Sequence, residues 1–399
     1  MRIALIGDFD TYLLRGLERP QQLLPYRLSP GLNLLRGFRE LGVKDIHILV
    51  DTTEVKRPTV DEGPLGILHR LPCPRFSGSA CFHLWRRHAL LRELARLQPD
   101  ILHGQGTEAE YAFTAVTSRF PNVITIHGIM HRVHQIVPPR MLTTQHVARW
   151  LENLVVRKAR HAICISRAVE QFLQMRASPA RCHLVPNAIA PHFFEVQPPT
   201  VGHTQPTLLF VGTVYPLKGL LHLVEALPPL QQLLGQPVRL IIVGKGGSGG
   251  KGQAYESLIR KRAADLRLET QVEWWGWQDE RGVARALAAS HVLVLPSFEE
   301  TFSMCIAEAM AARVPVVASR VGGVTDLITH GSTGLLVSPG NSHEIAEAVH
   351  TVLRDSELRS QLVTNAHDAA LNRYAPRVVA AKTLEVYQAI AREAAGRQN

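Results

Sequence analysis

Val196-Gln197-Pro198-Pro199-Thr200-Val201-Gly202-His203-Thr204-Gln205-Pro206, followed by Thr207-Leu208-Leu209-Phe210-Val211-Gly212, divides this chain in two. The first stretch holds three prolines and no apolar period, the pattern of a linker; the second restarts as a buried strand. On both sides, short β-branched runs alternate with longer amphipathic stretches. Upstream, strands are expected at Arg2–Gly7, Asp45–Val50, Asp100–His103, Asn122–His127 and His161–Ser166. Downstream they are expected at Thr207–Gly212, Val238–Gly244, Val272–Gly276, His291–Pro296 and Val314–Ser319. Helical patterns lie between them at Leu32–Leu41, Cys81–Gln98, Val147–Ala159 and Tyr255–Leu266. Such alternation implies βαβ units, and a continuous apolar run such as Leu240-Ile241-Ile242-Val243 implies parallel strands covered on both faces. The expected fold class is therefore α/β, with two doubly wound domains facing across a cleft. In open α/β sheets ligands bind at the carboxyl ends of strands, so chemistry is expected there.

Composition agrees. The 399 residues are 46% apolar and 20% charged, enough for large cores and incompatible with whole-chain disorder. No apolar run is long enough to span a bilayer, and Met1–Gly7 meets Asp8 and Asp10 too soon for a signal sequence. Cys73, Cys81, Cys164, Cys182 and Cys305 are scattered and never spaced CxxC, so neither a disulfide framework nor a zinc site is expected. A cytoplasmic protein with reduced thiols fits. Residues 1–200 carry 25 Lys and Arg against 16 Asp and Glu, whereas the rest is almost balanced. That one-sided charge suits an anionic partner or simple solvation.

Several motifs carry possible chemistry. Gly244-Lys245-Gly246-Gly247-Ser248-Gly249 satisfies GxGxxG after a strand, but the usual acidic partner is poorly placed, and the Lys of a P-loop is missing. A loop close to a ligand's phosphates or base is the better reading; a nucleotide-dependent oxidoreductase is the lesser one. Asp8-Phe9-Asp10 is a DxD, either a metal motif or a turn cap. His127 ends a strand before Gly128, where it can touch a ligand or serve structure. Lys218-Gly219 follows strand and turn and opens a helix, so an ammonium joins free N–H groups as an anion site. Glu308 lies among apolar neighbours in the helix that follows Pro296-Ser297-Phe298-Glu299-Glu300-Thr301-Phe302-Ser303-Met304-Cys305, and a buried carboxylate needs partners such as ribose hydroxyls. Glu300 lies in the loop at that helix's entrance.

In order, these elements resemble the retaining glycosyltransferases of family 4 (group 1), which have the GT-B fold of two Rossmann-like domains. Glu300 and Glu308 reproduce a Glu-x7-Glu motif, Phe210–Gly219 a donor-binding element, and Leu240–Gly246 an IVG-x-G loop. Pro315–Ser319, Gly322-Gly323 and Thr333–Val337 match further signatures, as do Pro99–His103, Thr125–Gly128 and Val185–Ala188. Thr213 stands where the family usually has arginine, Thr301 and Ala188 where it has glycine, and Ser29-Pro30-Gly31 replaces a double glycine. A catalytically silent GT-B binding protein is the alternative that Thr213 raises.

The resemblance implies an N-terminal acceptor domain over 1–195, a linker over 196–206, a nucleotide-sugar donor domain over 207–375, and a C-terminal helix over 376–399 packing back on the first domain. It implies metal-independent transfer with retention, with a nucleotide-sugar as co-substrate and no cofactor. Lys218, Glu300 and His127 are then the catalytic candidates. Gly212, Thr213, Lys218, Gly244, Gly246, Glu300, Phe302, Ser303, Met304, Cys305 and Glu308 would bind the donor, with Gly31 and His127 on the acceptor side. The acceptor would be lipid-linked or a cell-envelope glycan. The basic stretch His69–Gln98 adds a surface reading, in which Leu84, His88, Leu91 and Ala95 form a core-facing stripe and leave Arg86, Arg92 and Arg96 off it. Such a helix suits either solvent or peripheral contact with an anionic membrane on its cytoplasmic face; no nucleic-acid fold accompanies it.

Overall fold

The computed structural model describes residues 1–17, 30–73, 83–107, 109–132, 144–198, 205–246 and 250–396. The chain forms two compact units, one ending at Ala188 and rejoined by the C-terminal helix from Pro376, the other spanning Ile189–Ala375. This boundary precedes the expected end at residue 195. Ile189, Ala190 and Phe193 are buried in the second core, and Ile189 N–H donates to Tyr374 O at 3.0 Å. Most of the expected linker, residues 199–204, lies outside the described residues.

The first unit carries an eight-stranded sheet of β1 (Ile3–Ile6), β2 (Ile46–Thr52), β3 (Thr59–Gly63), β4 (Gly66–Pro72), β5 (Ile101–Gln105), β6 (Asn122–Ile126), β7 (His161–Cys164) and β8 (Arg181–Leu184). Their order is β3-β4-β2-β1-β5-β6-β7-β8, parallel except where β3 runs against β4. Sequence periodicity missed β3, β4 and β8. β3 and β8 are sheet edges with polar, partly exposed residues, so no apolar run marks them. The helix Pro30–Glu40 buries Leu32, Leu34, Leu35 and Phe38, and the C-terminal helix Pro376–Gly396 joins the same core through Val379, Ala380, Tyr387 and Ile390.

The basic helix, Leu84–Leu97, is rotated from its expected setting. Leu90 and Leu94 face the core, while Leu84 (57% exposed), Trp85 (66%), His88, Arg92, Ala95 and Arg96 share the outer face. Arg86, expected to be solvated, turns inward. Its guanidinium lies 3.0 Å from Asp51 and 3.2 Å from Glu110, and Glu110 also pairs with His83. Two buried carboxylates pull the helix round more strongly than one apolar stripe. Cys81, where this helix was expected to begin, lies outside the described residues.

The second unit holds β9 (Thr207–Val211), β10 (Arg239–Val243), β11 (Val272–Gly276), β12 (Val292–Leu295), β13 (Val316–Ser319) and β14 (Leu335–Val337), all parallel, in the order β11-β10-β9-β12-β13-β14. From β9 the chain first builds outward on one side, then returns to build on the other. The reversal leaves a crevice beyond the carboxyl ends of β9 and β12, where such sheets take ligands. The first sheet has the equivalent point between β1 and β5. Among the described residues, no helix is long and apolar enough to cross a membrane.

Candidate active site

The loops at the second unit's switch point collect most of the expected donor residues. After β9, Gly212 and Thr213 lead into a 3-10 turn, Pro216–Lys218, and Gly219 precedes the helix Leu220–Leu234. Gly219 has φ +65°, and a Cβ there would lie 2.0 Å from Pro296 O, so only glycine lets the two loops meet. Gly244, at φ +138°, likewise abuts Gly212 O, where a Cβ would come within 1.9 Å. The β9 and β10 loops are thereby locked together, with Gly212 N–H donating to Val243 O (2.9 Å) and Val214 N–H to Lys245 O (3.1 Å). Gly246 N–H donates to the Glu256 carboxylate at 2.8 Å; residues 247–249 of the glycine-rich motif lie outside the described residues.

Lys218 Nζ donates to Glu300 Oε1 at 2.6 Å, and Ser297 Oγ donates to the same oxygen at 2.8 Å. The anion expected beside Lys218 is therefore present within the protein. Burial by itself would lower the Lys218 pKa, but the Glu300 carboxylate outweighs it and raises it. Of the amides at this helix start, Leu221 N–H donates to Tyr255 Oη (3.2 Å) and His222 N–H to Gly219 O (2.9 Å).

Beyond Glu300, Ser303 caps the helix Met304–Ala311 without a side-chain bond to its amides; its hydroxyl lies 3.3 Å from Cys305 Sγ. Phe302 turns aside to pack edge-on against Tyr374, with ring centroids 5.7 Å apart. Glu308 is 2% exposed, and no described residue hydrogen-bonds its carboxyl. Burial, then the nearby Glu280, pushes its pKa up to about 8, so the group is largely protonated at neutral pH. Burial also raises the Cys305 thiol to about 12, and that thiol senses the charges of Glu300, Lys218 and Glu308 alike. The three ionisable groups therefore surround one helix entrance. Ser297 and Glu280 were missed in the sequence; a serine after a β12 proline and an acid at a helix start carry no distinctive pattern.

The first unit brings His127 and Gly31 to one small cavity of about 20 Å³, also lined by Leu34, His103, Gln105 and Thr125. His127 follows β6; its Nε2–H donates to Gln105 Oε1 at 2.6 Å, and Nδ1 is inaccessible and has no partner. Burial lowers its pKa to about 4, leaving the ring neutral. Asp10 of the DxD acts as a cap, its carboxylate accepting from Tyr12 N–H (3.0 Å) and Leu13 N–H (3.1 Å). Among the described residues no three His, Cys, Asp or Glu side chains are grouped to hold a metal.

Two family profiles match: "Glycosyltransferase Family 4" over residues 32–193 and "Glycosyl transferases group 1" over residues 194–369. The chain is 27% identical to the alpha-D-kanosaminyltransferase of Streptomyces kanamyceticus over 78% of its own length and 82% of the relative's. Several other curated relatives are matched over less than two thirds of their length. The fold is similar to that of sucrose-phosphate synthase from Thermosynechococcus elongatus (TM-score 0.76, 20% identity, 98% of each chain). It is also similar to Anabaena HepE solved in complex with UDP-glucose (TM-score 0.68, 20% identity, 98% of this chain and 100% of that one).

Proposed function

Since this chain belongs to the family 4, group 1 glycosyltransferases and has their GT-B fold, we propose that it moves a sugar from a nucleotide-sugar to an acceptor with retention at the anomeric carbon and without a metal. The observation that carries the donor site is Glu308. A carboxyl that is buried, neutral and without a hydrogen-bond partner among the described residues can both donate to and accept from a pair of vicinal hydroxyls, which a ribose supplies. That Anabaena HepE, of similar fold, is solved in complex with UDP-glucose supports a nucleotide-sugar donor.

In this reading the diphosphate competes with Glu300 for the Lys218 ammonium and is stabilised by it as charge develops on the leaving group. Glu300, still held by Ser297, is then released to accept hydroxyls of the donor sugar. The main-chain N–H groups near Ser303 and Met304 complete the phosphate side. His127, neutral beside Gln105, is the first unit's candidate contact for the transferring sugar. The leaving diphosphate helps to deprotonate the acceptor on the same face, so no protein nucleophile is required.

The test is nucleoside diphosphate release from a panel of nucleotide-sugars, with and without a chelator, and assignment of the product anomer by NMR. Tight donor binding without release or hydrolysis would favour a silent binding protein, and an inverted product would overturn retention. The outer face of Leu84–Leu97 supports a second reading, of a lipid-linked acceptor. Leu84 and Trp85 project beside His88, Arg92 and Arg96, which suits peripheral docking on an anionic bilayer. Flotation should recover the protein with anionic vesicles and not with neutral ones, and less at higher salt. Equal recovery with both would overturn this docking.

A further inference from the structure

The C-terminal half of the helix Leu84–Leu97 is fastened to the first sheet by a ring of hydrogen bonds that the catalytic reading does not use. His47 lies two residues before Leu49 on β2, and His69 stands across from Leu49 on β4, so the two imidazoles share one face. His47 Nδ1 and His69 Nε2 meet at 2.9 Å. The outer nitrogens end on carboxylates: His47 Nε2 on Asp45 Oδ1 at 2.9 Å, and His69 Nδ1 on Glu93 Oε1 of the helix at 3.0 Å. Arg2 closes the ring, its Nε 3.3 Å from Asp45 Oδ2 and its Nη1 donating to Leu97 O at the helix end (2.9 Å). Arg96 adds a contact to Glu93 at 3.3 Å. Both imidazoles are buried. Asp51, on the same face at the other end of β2, is held by Arg86. Arg70 and Asp61 pair with each other at 2.9 Å on the opposite face, and Glu62, across from Ile67, is exposed at the sheet's edge.

The hydrogens in this ring can be counted. An ionised carboxylate only accepts, so each outer nitrogen bears hydrogen. The inner nitrogens face each other, and a bond between them needs one hydrogen, neither none nor two. Three ring hydrogens on two imidazoles make one imidazolium beside one neutral imidazole. With one proton fewer, one carboxylate loses its donor. Asp45, whose side chain is 43% exposed and keeps Arg2, returns to water more cheaply than Glu93 at 12%, so the helix stays held through Glu93. With one proton more, two N–H groups and two charges meet in a buried place. Burial lowers the His47 pKa, with the Asp45 carboxylate opposing and His69 and Arg2 reinforcing. The first proton therefore settles on His69, beside Glu93, and the second is resisted. Because the folded state declines that second proton, His47 costs stability as pH falls below its ordinary 6.5 and nothing well above it.

We infer that the His47–His69 pair is an acid-opened latch on the helix Leu84–Leu97: with at most one proton it holds the helix's C-terminal half to β2 and β4, and a second proton parts the imidazoles and opens the ring. The latch acts on the helix whose outer face carries Leu84, Trp85, Arg92 and Arg96. It does not depend on the catalytic reading.

The test follows the full chain, labelled with 15N-histidine, through an acid titration, with His47→Asn and His69→Asn to assign the rings. The pair should titrate in two steps, His69 first and His47 about one pH unit or more below it. Between the steps, three of the four ring nitrogens should carry hydrogen. Glu93→Gln should move the first step down by about one pH unit. Across the second step, amide exchange in Leu90–Leu97 should quicken on the order of 10-fold or more beyond its intrinsic pH dependence. In His47→Asn, whose side-chain amide stands in for Nδ1 and takes no proton, that protection should stay flat. Asp45→Asn, at an exposed position, guards against a His47 variant that does not fold. It removes a charge that favours protonated His47, so the second step and the onset of exchange should move down together. Both rings titrating in one step, or a His69 still neutral where exposed histidines are charged, overturns the shared proton. Protection of Leu90–Leu97 that is unchanged across the second step, or that moves apart from it in Asp45→Asn, overturns the latch.

Discussion

Glu308→Gln should make the ligand-free protein more stable in alkali, and Glu308→Leu should weaken donor binding. The carboxyl titrates near 4.5 when unfolded and at about 8 in the folded protein. Below about pH 4.5 it is protonated in both states and contributes nothing to the pH dependence. Between 4.5 and 8 the folded state binds the extra proton, so stability falls as pH rises, and above 8 the whole cost is felt. That difference corresponds to about 5 kcal/mol, and relaxation of the pocket brings the measured effect to on the order of 2–3 kcal/mol. Glutamine has the same shape and no charge to bury, so the stability gap between variant and parent should widen from about pH 5 to about pH 8 and level off above it. Denaturant unfolding at a series of pH values measures it, and calorimetric titration with the donor measures the binding loss. Glutamine keeps an N–H donor and a C=O acceptor for a ribose, so it should hold most of the affinity, whereas Glu308→Leu, which offers neither, should lose about 10-fold or more. A gap independent of pH would refute the burial argument. Unchanged donor affinity in Glu308→Leu would refute the ribose assignment.

Lys218→Ala should lower turnover on the order of 100-fold and should also cost about 1–3 kcal/mol of stability, because the buried Glu300 carboxylate keeps only Ser297. Adding Glu300→Ala should restore much of the stability and none of the turnover, measured by unfolding and by nucleoside diphosphate release. Gly219→Ala should destabilise by more than about 2 kcal/mol, since its Cβ meets Pro296 O in a left-handed backbone; a melting point within a degree of the parent would contradict the loop packing. Arg86→Leu should destabilise by about 3 kcal/mol by stripping Asp51 and Glu110 of their shared cation, with the loss growing above pH 6, where burial has already raised Asp51 to about 6. Trp85→Glu should abolish recovery with anionic vesicles and leave the melting point near that of the parent, because Trp85 projects from the helix.

The central strands of both sheets were legible because they are apolar on both faces, and the loops after β9 and β12 were legible because Lys-Gly and the paired glutamates are rare at such places. Edge strands such as Thr59–Gly63 were not: their polarity protects an open edge and erases the period. The helix Leu84–Leu97 shows a second limit. Leu84, His88, Leu91 and Ala95 satisfy helical spacing, yet the setting is fixed by Arg86 reaching Asp51 and Glu110, on elements distant in sequence. Lys218 was found from its position, but its partner depends on the 82-residue separation closed by the switch point. The hydrogen bonds around Gln105 were half visible. A His and a Gln two residues apart interrupt an otherwise apolar buried strand, but the Tyr387 hydroxyl that meets His103 lies 284 residues away and no local pattern connects them.

Glu300 and Glu308 show how one sheet edge holds two carboxylates in different states. Glu300 lies where the β9 and β12 loops meet, so an ammonium and a hydroxyl reach it directly. Glu308 lies eight positions on, a full turn inside a helix whose other residues are alanine, isoleucine, methionine and one cysteine, and burial with Glu280 nearby holds it neutral. The first can exchange its cation with an arriving anion, because Lys218 remains charged whichever partner it keeps. The second has no partner to give up among the described residues, so a hydroxyl reaching it breaks no bond to them. Binding energy is therefore expected to come chiefly from Glu308, and charge stabilisation in the transition state from Lys218. Two variants should accordingly separate kinetically: Glu308→Leu in the donor KM, and Lys218→Ala in kcat.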